Sequence, residues 1–143
     1  GMPYLRPGSV RRRVRRLYRD LAPKIVRATG GLMRQLPQSA TDRYLTRIVQ
    51  AVRAISGDIP IVAMTPSPYD SAYYPSQKYH DQARVSAFSW AACLGVPIVD
   101  IENPVLQGLS SGAANPDGMH WSWHTHEWVG SKLAGELTAA IRR

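Results

Sequence analysis

Apolar residues recur along this chain in two rhythms. Val10, Val14, Leu17 and Leu21 are spaced by four, three and four residues, which lays them along one helical face. Ser9 is the candidate N-cap, and the predicted helix runs from Val10 to about Leu21, where Pro23 ends or kinks it. Ile25 and Val26 then begin a second short turn before Gly30-Gly31, while Met2–Pro7, with two prolines, reads as extended. A broader stripe of Tyr44, Leu45, Ile48, Val49, Val52 and Ile55 follows the capping residues Ser39-Ala40-Thr41-Asp42. It predicts a helix through about Ser56, ended by Gly57 at positive φ.

The rhythm changes at Ile59–Met64 and again at Val96–Ile101, two short and almost wholly apolar runs with β-branched residues. Strands covered on both faces read this way. Between them Ser76–Leu94 is helical in pattern, with Tyr79, Ala83, Ala87, Trp90, Ala91 and Leu94 near one face and Gly95 closing it. Glu102–Leu109 predicts a short helix, and residues 110–114 a flexible link. Ser122 can cap the last helix, where Val129, Leu133, Leu137 and Ile141 recur every four residues, and Gly130 and Ala134 leave room for close approach. The expected fold is one α/β domain over residues 1–143, with two parallel strands and four or five helices. Two strands leave apolar helix faces and a strand edge without partners. Ile59–Met64 is therefore expected to pair with something outside the chain, most simply a second copy.

Charge changes the picture at one end. The net charge is +8, and Arg6, Arg11, Arg12, Arg13, Arg15, Arg16, Arg19, Lys24, Arg27 and Arg34 crowd the segment 1–38 while the remainder is near neutral. Such a segment suits nucleic acid, anionic lipid or an acidic substrate. No interleaved aromatic platform or DNA-reading motif accompanies it, so the solvated face of an amphipathic helix is the favoured reading over nucleic-acid binding. A basic, dimeric nucleic-acid- or anion-binding protein is kept as an alternative function. No apolar run approaches the ~20 residues of a membrane span. With no leader pattern either, and with Gly1 before Met2 reading as a cleavage scar, a cytoplasmic protein is expected. The single Cys93 excludes an intrachain disulfide and reads as a small buried hydrophobe.

Candidate chemistry concentrates in Asn115-Pro116-Asp117-Gly118-Met119-His120-Trp121. Asp117 and His120 lie three residues apart across a Gly-containing turn, so the carboxylate can hold one ring nitrogen while the other faces outward. An imidazole held in this way serves as general base for a hydroxyl nucleophile. The bland alternative is an Asx-type turn before the last helix, with His120 packed against Trp121 or Trp123. The loop Thr65–Asp70 after the first strand, rich in Tyr through Tyr74, is a candidate substrate wall, because ligand sites collect beyond the carboxyl ends of strands. A third reading places zinc on Asp117, His120, His124 and His126. Trp121 and Trp123 crowd that segment, and His126 would sit about 200° around a continuous helix from His120. No cofactor or metal is expected on the favoured reading.

Asp-x-x-His between a strand–loop segment and a C-terminal helix resembles the last block of the SGNH (GDSL-type) esterases and acyltransferases. The wording Asn-Pro-Asp-Gly-Met-His-Trp, after Val-Pro-Ile-Val-Asp-Ile, most resembles their diglucosylglycerate octanoyltransferase branch. The resemblance covers about Met2 to Ile141 but only the second half of a family domain. It implies a partial flavodoxin-like, three-layer domain completed by another chain, with Asp117 and His120 catalytic. His126 falls where the family often carries a further His, and Ser67, Tyr69 and Trp121 are further candidates for substrate contact. An acyl ester or acyl donor is the implied substrate, with a medium-chain acyl group and an anionic sugar acceptor in that branch. The family's Gly-Asp-Ser nucleophile block and Gly-x-Asn-Asp are not in this sequence, where the one Gly-Asp is Gly57-Asp58 before Ile59. Ser9, Ser67 and Ser122 read as cap or loop residues rather than substitutes. The chain is thus expected to be inactive alone. If Ile59–Met64 pairs with a second copy, light scattering returns the mass of a dimer, and a monodisperse monomer counts against that pairing.

Overall fold

The structure is a computed structural model that describes residues 8–29, 36–70 and 76–142. Five helices and two strands follow in the order α1 (Gly8–Thr29), α2 (Gln38–Ile55), β1 (Ala63–Met64), α3 (His80–Leu94), β2 (Ile98–Val99), α4 (Glu102–Ser110) and α5 (Trp123–Ile141). β1 and β2 are parallel, with Ala63 opposite Ile98 and Met64 opposite Val99. The α/β class, the helix number and the parallel pair agree with the expectation. The readings of Met2–Pro7, Gly30-Gly31 and Tyr74 fall outside the described residues.

Both strands are shorter than their apolar runs. Residues 59–62 carry no strand, and Ile59 and Met64 are 40% and 45% exposed rather than covered on both faces. Among the described residues β1 pairs on one side alone, so its other edge is open. A groove of about 600 Å³ lies against β1 between α2 and α3, lined by Leu45, Ile48, Met64, Ser67 and Trp90 among others.

The core lies on the opposite flank. Val99, Ile101, Val105 and Val129 are buried together, with Val62, Leu109, Trp121, Trp128 and Leu133 packed against them. β2 thus sits between the first strand and the α4–α5 pair. Thr65 ties the strand ends together: its Oγ1 accepts from the Ile101 amide at 3.0 Å and donates to Asp100 at 3.2 Å.

Several helix ends depart from the pattern. α1 runs unbroken through Pro23 and begins at Gly8, which puts Ser9 inside its first turn. An interior proline removes one backbone bond and crowds the carbonyl four residues back, and the freed carbonyl can turn to water where the helix is open. Val14, Leu17, Leu21 and Ile25 are all exposed, so α1's apolar stripe is uncovered as well as its arginines. Pro37 precedes α2 without a side-chain cap. Asp42, read as a capping residue, instead accepts from Gln38 at 2.7 Å and from Ser86 of α3 at 2.8 Å. α2 ends at Ser56 with φ −158°, not at a left-handed Gly57. Gly95 does take φ 61° and receives the end of α3.

Cys93 is exposed, not buried. Ala87 and Ala91 define the covered face of α3, and a residue two positions past Ala91 points about 200° away. The close approach of α5 is also elsewhere than expected, since Gly130 meets nothing within 4 Å. At Gly108 of α4, an added Cβ would overlap Thr125 Oγ1 and lie 3.3 Å from Thr125 Cβ. Gly108→Ala is expected to lower unfolding free energy by about 1–3 kcal/mol in urea titrations, as overpacking does. Gly130→Ala, facing open space in a helix, is expected to raise it by about 0.5–1 kcal/mol.

Candidate active site

The Asp117–His120 loop is built on nested hydrogen bonds. Asn115 Oδ1 accepts from the Asp117 amide at 3.3 Å, and the Asn115 carbonyl accepts from the Gly118 amide at 3.1 Å. Gly118 stands at φ 69°, a conformation open to glycine at little cost. The chain then turns back so that Asp117 Oδ1 accepts from the amides of Met119 (2.9 Å) and His120 (3.0 Å). Asp117 Oδ2 pairs with His120 Nδ1. The Asx-type turn and the carboxylate–imidazole pair, read as alternatives in the sequence, coexist in one residue.

The amides of His120 and Met119, followed by the His120 ring, hold the Asp117 carboxyl down to a pKa of about 2. It is therefore ionised through the neutral range. The His120 side chain is 71% exposed, and among the described residues no hydroxyl hydrogen-bonds its Nε2. With Nδ1–H donating to the carboxylate, Nε2 presents a lone pair outward.

Two bonds latch this loop to the one that follows β1. The Asp70 amide donates to the Gly118 carbonyl at 2.8 Å, and Trp121 Nε1 donates to Ser67 Oγ at 3.0 Å. Ser67 Oγ in turn donates to the Pro68 carbonyl at 3.1 Å, so its one proton is engaged. The Trp121 and His126 rings lie 4.9 Å apart between centroids and tilted by 44°. Ser67, Trp121 and His126 are thus gathered beside Asp117 and His120. Tyr69 belongs to the wall differently, since its hydroxyl donates to the Ser76 carbonyl at 2.6 Å and burial pushes its pKa upward. Ser122 Oγ caps α5 by accepting from the Thr125 amide at 3.2 Å.

His124 and His126 do not join Asp117 and His120 as a ligand set. Among the described residues, the metal-capable grouping is His80, Asp81 and Glu102. The tight turn spends Asp117 Oδ1 on backbone amides and Oδ2 on the His120 ring, and Trp121 intervenes between His120 and the helix. The cluster at His80 went unread in the sequence. Arg84 there binds Asp100 and, through Nε, Glu102 at 2.9 Å, and its guanidinium holds the Asp100 carboxyl below its usual range. Two signals could have found it. His80 and Arg84 stand four apart on α3, and Asp100 and Glu102 flank the carboxyl end of β2.

A Mycolicibacterium hassiacum protein named diglucosylglycerate octanoyltransferase is 33% identical over 138 residues, 96% of this chain and 56% of that protein. A protein of the same name from Mycobacterium tuberculosis is 30% identical over 138 residues, 96% of this chain and 55% of that protein. The chain is related in sequence to proteins that bear an acyltransferase name, and it spans about half the length of these curated relatives. No protein-family profile and no solved structure matches it.

The depressed Asp117 carboxyl sets a pH window. A folded pKa of about 2 against an ordinary 3.8 means the carboxylate's stabilisation is complete above the ordinary value and fades as pH falls toward 2. Carbon-detected NMR titration should find the Asp117 carboxyl midpoint near 2. An Asp117→Asn protein should lose its share of the stability change between about pH 4 and 2, followed by denaturant midpoints.

Proposed function

We propose that this chain carries the proton-handling half of an acyl-transfer site of the SGNH (GDSL-type) kind. His120 is its general base and Asp117 the residue that orients it. The observation that carries this reading is the His120 Nδ1–Asp117 pair with Nε2 left outward on an exposed ring. In the reaction, Nε2 takes the proton of an attacking hydroxyl as its oxygen bonds to the acyl carbonyl carbon. The ionised Asp117 stabilises the resulting imidazolium, and Nε2 then returns the proton to the leaving oxygen. The acyl group passes to an acceptor hydroxyl by the same steps in reverse.

Ser67 donates to the Pro68 carbonyl and accepts from Trp121, and Ser122 caps α5, which supports an attacking hydroxyl from elsewhere. The open edge of β1, with the apolar groove beside it, supports a sheet completed by further strands into a flavodoxin-like, three-layer domain. The names of the relatives point to an octanoyl group and a diglucosylglycerate acceptor as substrates. The exposed Arg12, Arg13, Arg15 and Arg16 suit an anionic acceptor.

Turnover of p-nitrophenyl octanoate tests this. The chain alone is expected to stay at background. Mixed with a polypeptide spanning the part of the M. hassiacum relative that this chain does not match, it should turn the ester over. His120→Ala should then cut the rate by roughly 10²–10⁴-fold, the usual contribution of a positioned base. Turnover in the mixture that ignores His120→Ala, or no turnover in any mixture, would overturn the reading.

A further inference from the structure

His80 opens α3 with its side chain buried to 4% exposure. Nε2 lies 3.2 Å from the Pro66 carbonyl oxygen. That oxygen can only accept, so Nε2 carries the proton and Nδ1 is left with a lone pair. Nδ1 is buried and has no hydrogen-bond partner. It faces Glu102 Oε1 at 3.8 Å and Asp81 Oδ1 at 3.9 Å. A buried lone pair with two carboxylates near it and no donor is an electrostatically poor arrangement. Neither oxygen is within hydrogen-bond range of Nδ1.

The surrounding charges are unbalanced in the same direction. Among the described residues Arg84 is the one cation bound within the cluster, against Asp81, Asp100 and Glu102. Asp100 is already satisfied by Arg84, Thr65 Oγ1 and the Glu102 amide. Glu102 gives Oε2 to Arg84 and keeps Oε1 toward His80. The free positions converge, since one ligand atom from each of His80, Asp81 and Glu102 lies within 4.8 Å of the others. Three atoms at such separations share a point no more than about 2.5 Å from each, a few tenths of an ångström beyond zinc–ligand bonds. The Asp81 side chain is 91% exposed and free to close that gap.

We propose that His80 Nδ1, Asp81 and Glu102 bind a divalent first-row cation of the zinc type. The donor set is an imidazole and two carboxylates, which leaves a coordination position for water. The Pro66 carbonyl orients the liganding ring through its Nε2–H, the outer contact that metal-bound histidines commonly make. The cation ties the start of α3 to the start of α4, and through His80 it steadies Pro66, the residue before Ser67. This site shares no residue with the Asp117–His120 pair and does not depend on their role.

Zinc chloride titrated calorimetrically into tag-free protein after dialysis against EDTA tests the assignment. One equivalent is expected to bind, with a rise in the thermal midpoint. Affinity should fall at least tenfold in Asp81→Asn and in Glu102→Gln, and hold in His124→Ala. Asp81 is exposed, so its variant should keep the fold, which far-ultraviolet circular dichroism checks. No saturable uptake, uptake unchanged in folded Asp81→Asn, or uptake lost in His124→Ala would overturn the proposal.

Discussion

Asp117 meets two demands with its two oxygens. Oδ1 gathers the amides of Met119 and His120, which shapes the turn, while Oδ2 faces the His120 ring. The ring's direction is therefore set by the same residue that folds the backbone beneath it. Gly118 at φ 69° makes the geometry affordable, and Ser122 starts α5 immediately afterwards. The turn is joined to the loop after β1 through Asp70–Gly118 and Trp121–Ser67. Disturbing the carboxylate would loosen the turn, the ring and the junction of two loops together.

The site lies toward the better-covered side of the molecule. Val99, Ile101, Val105 and Val129 form the buried cluster under α4 and α5, and Trp121 packs against it. Away from that cluster the apolar faces are open. Tyr44, Ile48 and Ile55 of α2 are exposed, as are Leu17, Leu21 and Ile25 of α1. Burying apolar area contributes roughly 25 cal/mol per Å², so faces of this kind favour a covering partner. In the proposed reading, the segment that covers β1 and α2 also brings the hydroxyl that His120 activates. Completion of the sheet and completion of the chemistry would then be one event.

Local signals were the legible ones. Asp-Gly-Met-His carried its own turn, Ser122 its own cap and Gly95 its own helix end, because each depends on neighbours within a few residues. The stripes of α2 and α5 were visible, but which part of each is covered was not: Val49 is buried while Ile55 is 80% exposed. The apolar runs fixed where strands would lie and overstated their length, since a strand persists as far as a partner pairs with it. Pro23 and Cys93 misled because α1 runs on past the proline and the cysteine falls on the uncovered face of an otherwise apolar helical stretch. The network of Thr65, His80, Arg84, Asp100 and Glu102 joins residues 16 to 36 positions apart in its longer bonds. Such contacts arise from tertiary packing and leave only faint spacing cues.

The central claim is that Asp117 holds His120 in one tautomer with Nε2 free to take a proton. Nitrogen-15 NMR of the His120 ring at about pH 9, where imidazoles are neutral, addresses it most directly. The account predicts a protonated Nδ1 and a bare Nε2, with the tautomers mixing once Asp117 is changed to Asn. A ring protonated at Nε2, or one that mixes tautomers alike in both proteins, would contradict it.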